Sequence, residues 1–155
     1  MTPGFQSFIR EIAQSNTASF GNISEFSPSD IREGIQLLVT EDNIPMAQAL
    51  ADAGIAIHPN SEDILAIAGL LAITQKDWPL AIELLQDLCA LQGDMVQPMT
   101  YQMLGRSLWC NLDLSEARQV LIQGMAAWPE DATLKAEYQE MSLSENVMPA
   151  SQTSN

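Results

Sequence analysis

The chain has 155 residues, enough for one domain with a real interior, and its 46% hydrophobic content excludes general disorder. Acidic side chains outnumber basic ones 20 to 6, for a formal charge of −14. That balance excludes nucleic acid and anionic membrane surfaces as partners, because both require clustered Lys and Arg, and it suits a soluble protein whose copies repel one another.

The N-terminal stretch "MTPGFQSFIREIAQSNTASFGN" has neither a basic n-region nor a long apolar h-region, so no secretory signal is expected. Phe5, Phe8, Ile9 and Ile12 fall at helical spacing and predict a short amphipathic helix. "AQSNTASFGN" after it reads as a linker. Residues 1–27 are thus an amphipathic segment plus linker. The segment either covers the first of the elements that follow or meets a second copy of the chain in a homodimer.

Three segments then align without internal gaps: 28–59, 62–93 and 98–129. Alanine stands at the twentieth place of each, as Ala47, Ala81 and Ala117, recurring after 34 and 36 residues. Place four is Ile31, Leu65 and Tyr101, and place seventeen is Ile44, Trp78 and Leu114. Glycine holds place eight in the second and third segments, as Gly69 and Gly105. Proline closes the first and third, as Pro59 and Pro129. Apolar residues recur every three or four places, so each segment predicts two antiparallel helices around a polar hinge, "TEDN", "TQKD" or "CNLD". Two helices approach closely only where side chains are small, and a glycine facing the alanine of the second helix would supply that contact. Pro45 and Pro79 suit a first helical turn, Pro59 and Pro129 suit a helix end, and Asp113 or Ser115 suits a cap. The first segment departs from the pattern with Ile35 at place eight and Gly34 one place earlier, and the second ends in Gly93.

After Pro129, Leu134, Tyr138 and Met141 share one helical face, as a terminal capping helix over 130–146 requires. Residues 147–155 read as a disordered tail. No apolar run approaches the ~20 residues of a membrane span.

Catalytic chemistry finds little support. His58 is the only histidine and precedes Pro59 at a helix end, with no nucleophile or metal partner in its neighbourhood. Cys89 and Cys110 sit in apolar helical contexts and read as small buried hydrophobes, although Arg106 lies one turn before Cys110. Two cysteines make neither a disulfide framework nor a Cys-only zinc site, and a reducing cytoplasm fits them. Nucleotide-binding, zinc-protease and serine-hydrolase motifs are missing from the sequence. The expectation is a protein that is not an enzyme, with no cofactor and no metal.

The glycine, alanine and proline places, with a recurrence near 34 residues, resemble the tetratricopeptide repeat (TPR). The resemblance covers 28–129 and implies an all-α fold: a right-handed superhelix of antiparallel helix pairs, three repeats long, with an N-terminal extension and a C-terminal capping helix. Its structural signature here is Ala47, Pro59, Gly69, Ala81, Gly105, Ala117 and Pro129. Family members bind peptides in the concave groove at places two, five, nine and twelve of each first helix. Carried over, these places include Gln36, Ala66, Leu70, Ile73, Met99, Gln102, Arg106 and Trp109. They imply an apolar trough with Gln102 and Arg106 as polar handles, or alternatively residues packed under neighbouring helices. The lysine and asparagine clamp with which some members grip a terminal carboxylate has no counterpart at these places.

Three repeats on a small acidic chain further resemble the bacterial type III secretion chaperones that hold translocator proteins in the cytoplasm. That resemblance implies an apolar secreted protein as client. A structural scaffold within a multiprotein assembly is the alternative.

Overall fold

Proline, serine, asparagine and aspartate punctuate this chain where helices begin. In a computed structural model, which describes residues 3–15 and 23–147, these residues stand at helix starts. The α-helices are α1 (Pro3–Ser15), α2 (Pro28–Thr40), α3 (Ile44–Ile57), α4 (Glu62–Thr74), α5 (Trp78–Gln92), α6 (Pro98–Cys110), α7 (Leu114–Ala127) and α8 (Ala132–Val147). Short 3-10 turns span Ile23–Glu25 and Gly93–Met95. Among the described residues there is no strand. The linker expected at 13–22 lies mostly outside the described residues, since α1 runs to Ser15 and 16–22 are not among them. Of the tail expected at 147–155, Val147 instead ends α8, and 148–155 lie outside the described residues, as does the side chain of Ile12.

Backbone donors at helix starts are taken up locally. The Ser27 hydroxyl accepts from the Asp30 N–H, Asn43 Oδ1 from Met46, Ser61 Oγ from Ile64, Asp77 Oδ1 from Leu80 and Asp131 Oδ1 from Leu134. Helix α7 differs, because Asp113 makes no side-chain cap bond and its carboxylate instead accepts from Asn111 Nδ2 at 2.8 Å. At α6 the cap comes from a distance. Gln92 Oε1 accepts both the Gln97 N–H, at 3.2 Å, and the Thr100 hydroxyl, at 2.9 Å.

The turns joining α2 to α3, α4 to α5 and α6 to α7 are copies of one another. In each, the fifteenth residue has positive φ: Asp42 at 59°, Lys76 at 59° and Leu112 at 70°. Two backbone bonds close each turn. Asn43 N–H reaches Leu38 O, Asp77 reaches Ala72 and Asp113 reaches Leu108, at 2.8, 2.9 and 2.9 Å. Asp42, Lys76 and Leu112 reach Val39, Ile73 and Trp109 at 3.0, 2.9 and 3.0 Å. This is the left-handed helix cap that usually carries glycine, here built from an aspartate, a lysine and a leucine.

The chain divides into two compact units, Met1–Leu91 and Gln92–Asn155. In the first, Ile31, Ile35, Leu38, Leu50, Ile64 and Leu85 are fully buried, and α1 adds Phe5 and Ile9. Phe5, Phe8 and Phe26 form an aromatic cluster, with the Phe5 and Phe26 rings 4.5 Å apart. His58 Nε2 donates to Phe26 O at 3.2 Å, so the histidine ties the end of α3 to the segment before α2. In the second unit, Leu104, Leu108, Leu121, Leu134 and Met141 form the interior, with α8 packed on α6 and α7.

Ala47, Ala81 and Ala117 are fully buried. The partner expected for the glycines needs correcting. A Cβ on Gly69 would meet Leu85 first, at 3.1 Å, and one on Gly105 would meet Leu121, at 2.8 Å. Both leucines stand one turn beyond the alanine, and helical side chains lean toward the helix N-terminus, which brings them back over the glycine. In the first repeat Gly34 meets Leu50, at the same separation of sixteen residues, and also Phe5. A second small place went unnoticed in the sequence. Gly54 and Gly124, both at place twenty-seven, let Ile31 and Ile64, or Tyr101 and Leu134, close over them. Their recurrence at one place was the available signal.

Leu114, the apolar residue at place seventeen of the third repeat, is 38% exposed. It opens α7 at the turn after α6, where its apolar character alone does not bury it. Cys110 is likewise exposed and not buried, because it ends α6 at the same turn. Cys89 is half-buried, and burial pushes its thiol pKa up.

Candidate peptide-binding site

Helices α2 and α4 lie side by side in the first unit, and their neighbouring faces leave a slot of about 240 Å³. Ile35, Gln36, Val39 and Thr40 line it from α2, and Ile67, Leu70, Leu71 and Thr74 from α4. Ile35 and Leu71 form its buried floor, while Leu70 is 45% and Val39 37% exposed. Among the described residues no charged side chain lines it. Such a slot can desolvate one aliphatic side chain of a partner and offer Gln36, Thr40 and Thr74 for backbone hydrogen bonds.

Of the residues expected at the groove, Gln36 and Leu70 meet here. Met99 and Gln102 share a shallow pocket of about 310 Å³ in the second unit, with Gln97, Pro98, Asp131 and Thr133. Met99 is open to solvent at 66% exposure. Ala66, Ile73 and Trp109 are half-buried and line neither pocket.

Arg106, expected as a free polar handle, is already engaged. Its Nε donates to Glu137 Oε1 at 2.6 Å, Nη2 stands 2.5 Å from the same oxygen, and Glu140 lies at 3.7 Å. The Glu137 side chain is only 6% exposed, which makes this the charge-assisted bond that fastens α8 to α6. Arg118 pairs with Glu145 and fastens α8 to α7 in the same way. The partners lie about thirty positions away in sequence, beyond the reach of pattern reading.

The two units thus treat the same place differently. Place nine of the first helices is Gln36 and Leu70 beside an open slot in one unit, and Arg106 under carboxylates of α8 in the other. Sequence reasoning also missed Ile67, which sits at place six, and Leu143, which is 67% exposed. Extending the alignment into α8 from Ala132 puts Leu143 at place twelve, in register with Val39, Ile73 and Trp109.

Among the described residues no three His, Cys, Asp or Glu side chains are grouped as metal ligands would be, and no helix is long and apolar enough to cross a membrane.

No family model and no curated protein matches the sequence. Solved structures do. The first TPR domain of Spaghetti (RPAP3), bound to the HSP90 peptide SRMEEVD, superposes with a TM-score of 0.68 at 13% identity, covering 77% of this chain and 93% of that one. The N-terminal domain of stress-induced protein-1 from C. elegans gives 0.66 at 11%, covering 79% and 98%. MamA from Desulfovibrio magneticus RS-1 gives 0.70 at 13%, covering 92% and 84%. At such identities the likeness speaks for the fold alone, and the fold is that of the tetratricopeptide repeats: helix pairs α2–α3, α4–α5 and α6–α7, with α1 before them and α8 after.

Proposed function

We propose that this chain is a non-enzymatic, cytoplasmic protein- or peptide-binding module, a chaperone or adaptor that captures an extended segment of a client on α2 and α4. The observation that carries the proposal is the apolar slot between α2 and α4, where Leu70 and Val39 stay exposed beside a buried floor. Exposed apolar side chains around a concavity mark interaction sites more often than isolated ones do. The Spaghetti domain, which binds an HSP90 peptide, supports the reading by its similar fold.

Display of a random peptide library tests it. The wild-type chain is expected to enrich peptides with a large aliphatic anchor. Leu70→Asp should lower their capture by about tenfold or more, as for a central interface anchor, with helicity unchanged by circular dichroism. Equal capture by both chains overturns the assignment.

A narrower form of the proposal is a type III secretion chaperone holding an apolar secreted protein, supported by the small acidic three-repeat architecture. Co-purification with a translocator-like protein from the native host tests that form. The alternative, a structural scaffold, draws on the exposed Leu112, Leu114 and Ile122 around α7, which offer a different surface to a neighbouring subunit. It requires that changes at Leu70 leave assembly intact.

A further inference from the structure

The occupant of the slot between α2 and α4 can be narrowed by charge. Its lining is neutral, yet carboxylates flank the lining residues in sequence on both helices. Glu41 and Asp42 follow Thr40 directly. Asp63 lies one turn before Ile67, and Asp77 follows Thr74 by three residues. Glu41, Asp42, Asp63 and Asp77 are exposed. Among the described residues beside these carboxylates, Lys76 and Arg32 are basic, and Arg32 stands 3.9 Å from Asp63. The imbalance continues across the chain, with 20 acidic residues against 6 basic ones.

An approaching peptide therefore meets a negative potential around an apolar cleft whose walls focus the field. A peptide carrying its own carboxylates would be repelled before its anchor could seat. A peptide with lysines or arginines beside the anchor would be drawn in and would neutralise the rim. Opposite potentials across an interface favour capture and reject like-charged competitors.

From this we infer that the slot receives an aliphatic side chain from an extended, basic segment of its client. The inference rests on the proposed groove and adds the charge of the partner. It sets the site apart from one that takes an acidic peptide such as SRMEEVD, which the Spaghetti domain binds.

Fluorescence anisotropy with the full chain tests it. Three short labelled peptides serve as probes: a leucine flanked by lysines, a leucine flanked by glutamates, and an alanine flanked by lysines. The lysine–leucine peptide should bind about tenfold or more tighter than the other two in dilute salt. Its advantage over the glutamate peptide should shrink as salt rises from about 0.01 M to about 1 M, where the screening length falls from ~30 Å to ~3 Å. Glu41→Lys should weaken the lysine–leucine peptide by about threefold, as one rim charge does. Equal binding of both leucine peptides overturns the charge inference and leaves the groove standing. Equal binding of the two lysine peptides shows charge attraction without an anchor and overturns it too. Failure of every peptide, or binding untouched by Leu70→Asp, overturns the groove and the inference together.

Discussion

A Cβ atom on residue 34 would stand 2.6 Å from Cε1 of Phe5, so α1 rests in a gap that glycine leaves on α2. Contacts under 3 Å force something to move, and the ring of Phe5 is the movable part. Gly34→Ala is therefore expected to loosen α1 while α2 gains up to about 1 kcal/mol of helix propensity. Faster hydrogen exchange in residues 5–15, with the rest of the first unit unchanged, is the expected reading. Unaltered exchange would mean that Phe5 does not hold α1 in place.

The other glycines should rank by what they face. Gly69 meets the branched end of Leu85 at 3.1 Å, Gly105 meets Leu121 Cδ2 and Cγ at 2.8 and 2.9 Å, and Gly124 meets Cβ and Cγ of Tyr101, both at 2.9 Å. Atoms close to the backbone yield least. Gly69→Ala should be near neutral, because propensity offsets crowding. Gly124→Ala should cost about 1–3 kcal/mol as overpacking, with Gly105→Ala between them. Urea melts of the three variants give the order directly.

Leu112 holds φ at 70° while its side chain is 81% exposed. Little packing is lost if the side chain is removed, and a left-handed leucine is strained by roughly 1–2 kcal/mol. Leu112→Gly should stabilise the chain by about 0.5–1 kcal/mol after the greater unfolded-state entropy of glycine is counted. Asp42→Gly should gain less, since aspartate tolerates this conformation better. A lower urea midpoint for Leu112→Gly would contradict the account of the turn.

Glu137 is a nearly buried carboxylate that depends on Arg106. Arg106→Ala strands that charge and should cost about 1–3 kcal/mol, less than for a fully buried pair because Arg106 is 41% exposed. The double variant Arg106→Ala with Glu137→Leu should lose less than Arg106→Ala alone, since no unpaired charge remains. A thermodynamic cycle over the four chains checks this, and strict additivity would count against it.

The two thiols should differ in reactivity. Burial pushes the Cys89 pKa up, so a smaller fraction is thiolate at any pH below it, and its sulfur is also shielded. Cys110 is exposed and should be alkylated first, with Cys89 slower by about tenfold or more near neutral pH. Mass spectrometry of timed maleimide labelling distinguishes them, and equal rates would refute the burial of Cys89.

Much of this fold was legible in the sequence because its determinants are local. Helical spacing, prolines in first turns and small residues at fixed places located the helix pairs that the structure contains. Burial at the edges was less legible. Cys110 and Leu114 have the character of interior residues, but at the turn between α6 and α7 both stay exposed. The turn type was hidden for a different reason, since Asp42, Lys76 and Leu112 carry none of the glycine that marks a left-handed cap. Arg106 read as a handle because Glu137 lies 31 residues away. Gln36 and Leu70 were found by place, whereas Ile67 and Thr74 needed the packing of α2 beside α4.

A nuclear magnetic resonance titration of the labelled full chain with a peptide selected by display tests whether the slot between α2 and α4 is the binding site. The largest shift changes should fall on Gln36, Val39, Ile67, Leu70 and Thr74, and Leu70→Asp should remove them. Changes confined to α1 or α7, or spread evenly over the chain, would contradict that assignment.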